Sequence, residues 1–290
     1  VREAHRHNHT TRRVMVGNVP VGGGAPISVQ SMATTPTTDV DATVDEIKRM
    51  EDAGVDIARI SVPDIESVRA TERIVRRVNV PIVADIHFNY RMAVEVAGTG
   101  IAKLRINPGN IGDRKRVEAI VHKAREYGIP IRIGVNAGSL EKDLLEKYGY
   151  PTPEAMVESA FRHTAILEDH EFFNIIVSMK ASHVPLAVEA YRQFARQSDY
   201  PLHIGITEAG PGLSGTVHSS VGLGILLNEG IGDTMRVSLT ADVVDEVKVA
   251  QKILQALGLR SNMPRVISCP TCARNRLDLI TIAEEVERRI

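Results

Sequence analysis

Short apolar runs rich in Val and Ile recur along the 290 residues, and each is followed by a stretch in which apolar positions return every three or four residues. Ile27–Met32, Ile57–Val62, Ile82–Ile86, Ala102–Asn107, Ile129–Val135, Asn174–Met179, Leu202–Thr207 and Thr234–Leu239 read as strands. Between them, Val44, Ile47 and Met50 mark one helical face, and Val244, Val247, Ile253, Leu254 and Leu257 mark another. Gly54, Gly98, Gly128 and Gly258 stand where helices should stop. Pro81, Pro130 and Pro201 stand at strand heads, where a missing backbone donor is tolerated. The pattern predicts an α/β chain of eight β/α units. Alternation alone also allows an open sheet, but eight units in roughly 250 residues favour a closed (β/α)8 TIM barrel.

Residues 1–24 form an N-terminal segment in which Val14–Val21 reads as a hairpin turning at Gly17-Asn18, placed to cover the barrel's N-terminal end. Residues 25–260 make the barrel. Residues 261–290 start a new element, with Leu277, Ile280 and Val286 as the apolar positions of a helix, too short to be a domain of its own. Gly22-Gly23-Gly24 precedes the first strand and so lacks the strand–loop–helix order of a phosphate loop; it reads as a turn. His5, His7 and His9 alternate in what reads as a frayed terminus.

Charge changes the picture only locally. Lys plus Arg total 35 against 36 Asp plus Glu, a net charge of −1, so no global basic excess points to nucleic acid or an anionic membrane. No apolar run reaches the ~20 residues of a membrane helix, and 1–13 has no apolar stretch of signal-peptide type; a cytoplasmic protein is expected.

Parallel strands covered on both faces normally read as unbroken apolar runs. Here nearly every strand carries polar residues near its C-terminal end, and period-two alternation sorts them onto one face. The sets are Ser28 and Gln30; Arg59 and Ser61; Asp85 and His87; Lys103, Arg105 and Asn107; Arg132 and Asn136, with Gly134 between; Ser178 and Lys180; Glu208; Arg236 and Ser238. Facing inward, they meet at the C-terminal mouth, where barrel enzymes place their sites. Facing outward, they would bury charge beneath helices. Arg59, Lys103, Arg105, Arg132, Lys180 and Arg236 outnumber Asp85 and Glu208, and a confined cation surplus calls for an anion. Guanidiniums fork onto phosphate oxygens, so several of them suit a diphosphate. Gly210-Pro211-Gly212, before a helix starting near Ser214, adds backbone donors. Single members keep a structural alternative: Asp85 as an ion-pair partner of a neighbouring Arg, His87 as a satisfied structural histidine, Ser28 and Gln30 as partners of backbone groups.

The two cysteines form Cys269-Pro-Thr-Cys272. A disulfide across so small a loop would stabilise little; the spacing suits a metal, an iron–sulfur cluster or a dithiol redox pair. Two thiolates do not complete a cluster or a structural zinc site.

The segments Ala25–Met32, Ala84–Phe88, Arg105–Asn110, Ile133–Ser139, Ser178–Ser182, Gly205–Gly210 and Ser268–Cys272, in that order, resemble the 4-hydroxy-3-methylbut-2-en-1-yl diphosphate synthases of the non-mevalonate isoprenoid pathway, over essentially the whole chain. The resemblance implies a pteroate-synthase-like barrel followed by a domain holding a 4Fe–4S cluster on three cysteines and a glutamate. It implies reductive ring opening of 2-C-methyl-D-erythritol 2,4-cyclodiphosphate to 4-hydroxy-3-methylbut-2-enyl diphosphate. Electrons would come from flavodoxin or ferredoxin, in a homodimer. By the same resemblance, Arg59, Arg105, Asn107, Arg132, Asn136, Lys180 and Ser238 hold the diphosphate with Asp85 and His87 nearby. Glu208 faces the reacting carbon–oxygen bond as proton donor, and Cys269 and Cys272 are the first two cluster ligands. Ala273 stands where the family more often has Gly, and the remaining two ligands have no counterpart up to Ile290. The expectation is therefore a chain that binds the cyclic diphosphate but does not turn it over alone. A non-redox phosphate-ligand barrel and a pterin-binding transferase are the alternative readings.

Overall fold

A computed structural model of the chain describes residues 10–87, 89–107, 111–112, 114–261 and 264–289. His5, His7 and His9, Phe88, and the 108–110 end of one motif lie outside the described residues. Strands β1 (Val14–Val16) and β2 (Val19–Val21) pair antiparallel about Gly17-Asn18. Gly17 takes φ +58°, which a glycine adopts freely, and packs on Pro81.

Eight parallel strands follow: β3 (Ser28–Met32), β4 (Ile57–Ser61), β5 (Ile82–Asp85), β6 (Lys103–Ile106), β7 (Ile131–Asn136), β8 (Ile175–Lys180), β9 (His203–Ile204) and β10 (Thr234–Met235). They pair in the order β8-β7-β6-β5-β4-β3-β10-β9. A parallel bridge between Val177 and Leu202, with Val177 N donating to Pro201 O at 2.9 Å, joins the two ends and closes the barrel. The outer helices start on side-chain caps where the residue type allows: Asp39 for Val40–Asp52, Asp64 for Ile65–Val75, Asn89 for Tyr90–Val96, Thr152 for Pro153–Glu168 and Asp242 for Val243–Ala256.

Strand alternation divides the interior in two. Outward residues such as Ala58, Ile60, Ala84, Leu104, Ile133 and Val177 are fully buried in an annular apolar core beneath the helices. Inward residues at the N-terminal end, Ile57, Val83 and Ile176, form a separate apolar cluster with Val14, Val16 and Val21 of the hairpin. The hairpin therefore plugs the bottom of the barrel, as its position in the sequence predicts. Above this floor the inward positions are mostly polar, though Met32, Gly134 and Gly205 also face inward.

Two strands are shorter than the pattern predicts. Leu202–Thr207 yields only His203–Ile204, and Thr234–Leu239 only Thr234–Met235. Beyond them the backbone bonds elsewhere: Thr207 N to Ala181 O at 3.2 Å, and Leu239 N to the Glu246 carboxylate at 2.9 Å. The seam between β8 and β9 is thus thin, and a side chain fills it. The fully buried Tyr191 of helix Val184–Ala195 accepts from Met179 N at 3.1 Å and donates to His203 O at 2.8 Å. Burial pushes its phenol pKa well above the usual tyrosine value, so it remains a donor.

The C-terminal helix Leu279–Arg289 buries none of its residues, and Leu277, Ile280 and Val286 are all exposed. No helix among the described residues is long and apolar enough to cross a membrane.

Tyr191→Phe leaves two buried backbone groups unpaired across the seam, at a cost of about 1–3 kcal/mol. Chemical denaturation should show a lower midpoint with the slope unchanged; an unaltered midpoint would mean that the seam does not depend on this phenol.

Candidate anion-binding site

Part of the polar set assigned to the inner face converges. Arg59, Lys103, Arg105, Arg132 and Lys180 are 8%, 0%, 9%, 1% and 7% exposed, around Asp85 at 2%. Register explains the juxtaposition: Arg59 lies beside Val83, Asp85 beside Arg105, Arg105 beside Arg132, and Asn136 beside Lys180. Adjacent strands thus bring successive cations to neighbouring heights.

Asp85 is the hub. Its Oδ1 accepts from Arg105 Nη1 at 3.2 Å, and its Oδ2 lies 3.7 Å from Arg59 Nε and 3.4 Å from His87 Nε2. Burial alone would raise the Asp85 carboxyl; Arg59, His87 and Arg105 outweigh it and hold it well below the usual carboxylate range. The ion-pair role and the place in the site are therefore not alternatives for this residue. Arg59 is pulled down to about 10 by burial and by Arg236 and Arg105, against the pull of Asp85. Its Nε and Nη2 also lie 3.0 and 2.6 Å from the Met32 sulfur.

The other buried cations are poorly compensated. Arg132 Nε and Nη1 are buried without a hydrogen-bond partner among the described residues, as is Arg105 Nε. Burial, then Arg59 and Arg105, opposes the Arg132 charge, yet a guanidinium stays protonated at neutral pH. Lys180 is pushed well below its usual pKa by burial and then by Arg132, Arg236, Arg59 and Arg105. Lys103 is pushed down by burial, Arg132 and Arg59; its Nζ donates to Gln30 Oε1 at 3.2 Å. Gln30 thus supports a cation, not the backbone. Ser178 donates to Ile133 O at 3.2 Å, a structural use.

Two glycines make the room. A Cβ at Gly134 would lie 2.8 Å from both Nε and Nη2 of Arg105, and one at Gly205 would lie 2.9 Å from Lys180 Nζ. Asn107 is buried, Asn136 and Ser238 are half-buried, and His87 is exposed. Glu208 is exposed on the segment after β9 with φ +52°. Apart from Glu171, it is the one non-glycine residue with positive φ among the described residues, and such backbone outliers cluster at functional sites. The helix after Gly210-Pro211 starts at Gly212, two residues earlier than predicted, without a side-chain cap, so its first N–H groups remain available.

The cysteines stand apart. Cys269 and Cys272 are free and exposed, and no group of three or more His, Cys, Asp or Glu side chains suited to a metal occurs among the described residues. Backbone and side-chain hydrogen bonds from Arg274 lower the Cys272 thiol pKa.

Two carboxylates that the strand pattern does not reveal also serve the mouth. Glu46 takes donors from the amides and hydroxyls of Thr34 and Thr35, in the loop after β3. Glu246 accepts from Ser31 Oγ and Leu239 N and faces Arg236. The signal is positional: each Glu lies on the apolar stripe of its helix, between Thr43 and Ile47 or between Val243 and Val247.

Residues 11–251 match the model of the GcpE TIM-barrel domain. The chain belongs to the GcpE family. It is 58% identical over 284 residues to the 4-hydroxy-3-methylbut-2-en-1-yl diphosphate synthase (flavodoxin) of Bacillus anthracis, covering 98% of this chain and 77% of that protein. A protein of the same name from Bacillus cereus (strain AH820) matches to the same extent. Among solved structures, a dihydropteroate synthase from Stenotrophomonas maltophilia superposes with a TM-score of 0.58 at 14% identity, covering 83% of this chain and 95% of that one. A type I 3-dehydroquinate dehydratase from Clostridium difficile reaches 0.62 at 14%, covering 86% and 98%. These likenesses establish the barrel fold.

Gly134→Ala tests whether the GcpE barrel needs that space. The intruding methyl meets only the movable end of Arg105. Pyrophosphate binding measured by calorimetry should weaken roughly tenfold or more, the scale of one lost charged hydrogen bond, with the melting temperature little changed. Unchanged affinity would show that Arg105 is not held against Asp85 for binding.

Proposed function

We propose that this chain binds 2-C-methyl-D-erythritol 2,4-cyclodiphosphate at the barrel mouth and serves its reductive ring opening to 4-hydroxy-3-methylbut-2-enyl diphosphate, with flavodoxin as electron donor. The reaction takes up two electrons and two protons and releases one water. The observation that carries the reading is the buried cation surplus: among the described residues, five cations surround Asp85, which pairs directly with only Arg59 and Arg105. Arg59, Arg105, Arg132 and Lys180 hold the diphosphate, with Asn107, Asn136 and Ser238 as neutral hydrogen-bonding groups. Asp85 orients Arg59 and Arg105, and His87 stands over it at the open side. Glu208, exposed beside the mouth on a strained backbone, supplies a proton to the leaving oxygen.

The family resemblance brings a 4Fe–4S cluster as the electron-transferring group. Cys269 and Cys272 would be two of its four ligands. The described residues add no third, so they do not form a complete site. The exposed apolar positions of Leu279–Arg289 support reading 261–290 as the beginning of the cluster domain, after a barrel spanning 25–260.

A homodimer is supported by helix Gly212–Asn228. It contains no Asp, Glu, Lys or Arg, and it exposes Leu213, Val217, Val221 and Ile225 at four-residue spacing. A solvent-facing helix normally carries charge on that side. Val221→Asp should convert the dimer to monomer in sedimentation velocity; a variant that stays dimeric excludes this face.

Calorimetry with the cyclic diphosphate tests the site itself. Lys180→Ala or Arg105→Ala should weaken binding at least tenfold, the scale of one lost charged hydrogen bond. An anion restores the charged form of Lys180, whose pKa burial depresses, so binding takes up protons and affinity falls as pH rises above that depressed pKa. Binding heats that do not vary with buffer ionisation enthalpy, or a preference for pterins, would count against the reading.

A further inference from the structure

Glu246 has no part in the reading above. It lies on helix Val243–Ala256, outside the barrel, yet it is only 4% exposed. Its Oε2 accepts from Ser31 Oγ at 2.9 Å and stands 3.5 Å from Arg236 Nη2; its Oε1 accepts from Leu239 N at 2.9 Å. One carboxylate therefore ties together the end of β3, the first cation past β10, and the turn that leads into its own helix. Arg236 has no other carboxylate within 4.0 Å among the described residues. Its Nη1 lies 3.8 Å from the Met32 sulfur, which also meets Arg59, and its Nε is buried without a partner. Arg236 also lines a cavity of about 580 Å³ at the mouth, together with Thr34, Thr35, Thr37 and Ser61.

A buried carboxylate among three donors is costly unless it is well bonded, and its removal would leave Arg236 unanchored. Among the described residues its one ion-pair partner within 4.0 Å is Arg236, and its charge also acts at longer range on Arg59. We propose that Glu246 is a positioning residue of the anion site: it aims Arg236 into the mouth and fixes the 236–239 segment that carries Ser238. Glu246 thus acts on the bound anion through Arg236. The proposal rests on reading the mouth as a diphosphate site.

The test is a double-mutant cycle on the full chain, with inorganic pyrophosphate as the calorimetric probe and melting temperatures recorded alongside. Glu246→Ala and Arg236→Ala should each weaken pyrophosphate on the order of tenfold, and the double variant should bind no worse than Arg236→Ala, because groups that act through one another are non-additive. Glu246→Gln, which keeps an acceptor for Leu239 N but loses the charge, should fall between wild type and Glu246→Ala. It also carries the test if Glu246→Ala does not fold. Losses that add in the double variant, or a lowered melting temperature with unchanged affinity, would overturn the proposal. A wild type that binds pyrophosphate but not the cyclic diphosphate sinks the substrate reading, and the cycle still decides the role of Glu246. A wild type that binds neither overturns both.

Discussion

The rest of the structure answers to one electrostatic constraint: among the described residues, five buried cations lie inside the barrel around the carboxylate of Asp85. Desolvated like charges at close range repel strongly, and burial adds its own penalty to each. Asp85 relieves Arg59 and Arg105 directly. The two lysines have a second way out, since an amine can shed its proton; the depressed pKa of Lys103 and Lys180 expresses that tendency. Arg132 has neither route. It is 1% exposed, with two buried N–H groups unpaired among the described residues. Those two N–H groups are left for an acceptor that the described residues do not supply, a need that a multiply charged oxyanion would meet.

The scaffold bears this load by separating its layers. Apolar packing is placed between strands and helices and, through the hairpin, at the barrel floor. The upper interior is thereby free to be polar without weakening the core. Backbone spacing then refines the cluster: Gly134 and Gly205 give up side chains so that Arg105 and Lys180 can lie across neighbouring strands. Tyr191 repairs the seam where the β8–β9 ladder is thin. The outer helices also contribute, since Glu46 and Glu246 reach over the strand ends and hold the loops that frame the mouth.

What was legible in the sequence follows from the same layering. Strand alternation has a rigid period, so the inward set from Arg59 to Lys180 could be assigned to one face before any coordinates, and it stands there. The hairpin plug was legible for the same reason. Strand ends at β9 and β10 were not, because their extent is decided by long-range partners: Leu239 N is taken by Glu246 rather than by a ladder. Glu246 and Glu46 were missed because helical periodicity marks their positions as apolar, and a charge there reads as noise until its donors are seen. Gln30 belongs to the inward set, but its partner Lys103 is distant in sequence, so strand alternation leaves its role open between the site and the backbone.

The two kinds of chemistry suggested by the sequence occupy different physical environments. Anion binding belongs to the interior, where low exposure strengthens each interaction and fixed strands set the geometry. The cysteine pair belongs to an exposed segment, where the thiolate of Cys272 is favoured by local hydrogen bonds with Arg274 rather than by the barrel's charge. The buried cations therefore do not tune these thiols as the described residues stand. Glu208 lies between these two environments: it follows the seventh barrel strand on a left-handed backbone and is exposed to solvent. A carboxyl so placed keeps its contact with solvent, whereas Asp85 is buried and bonded to two guanidiniums.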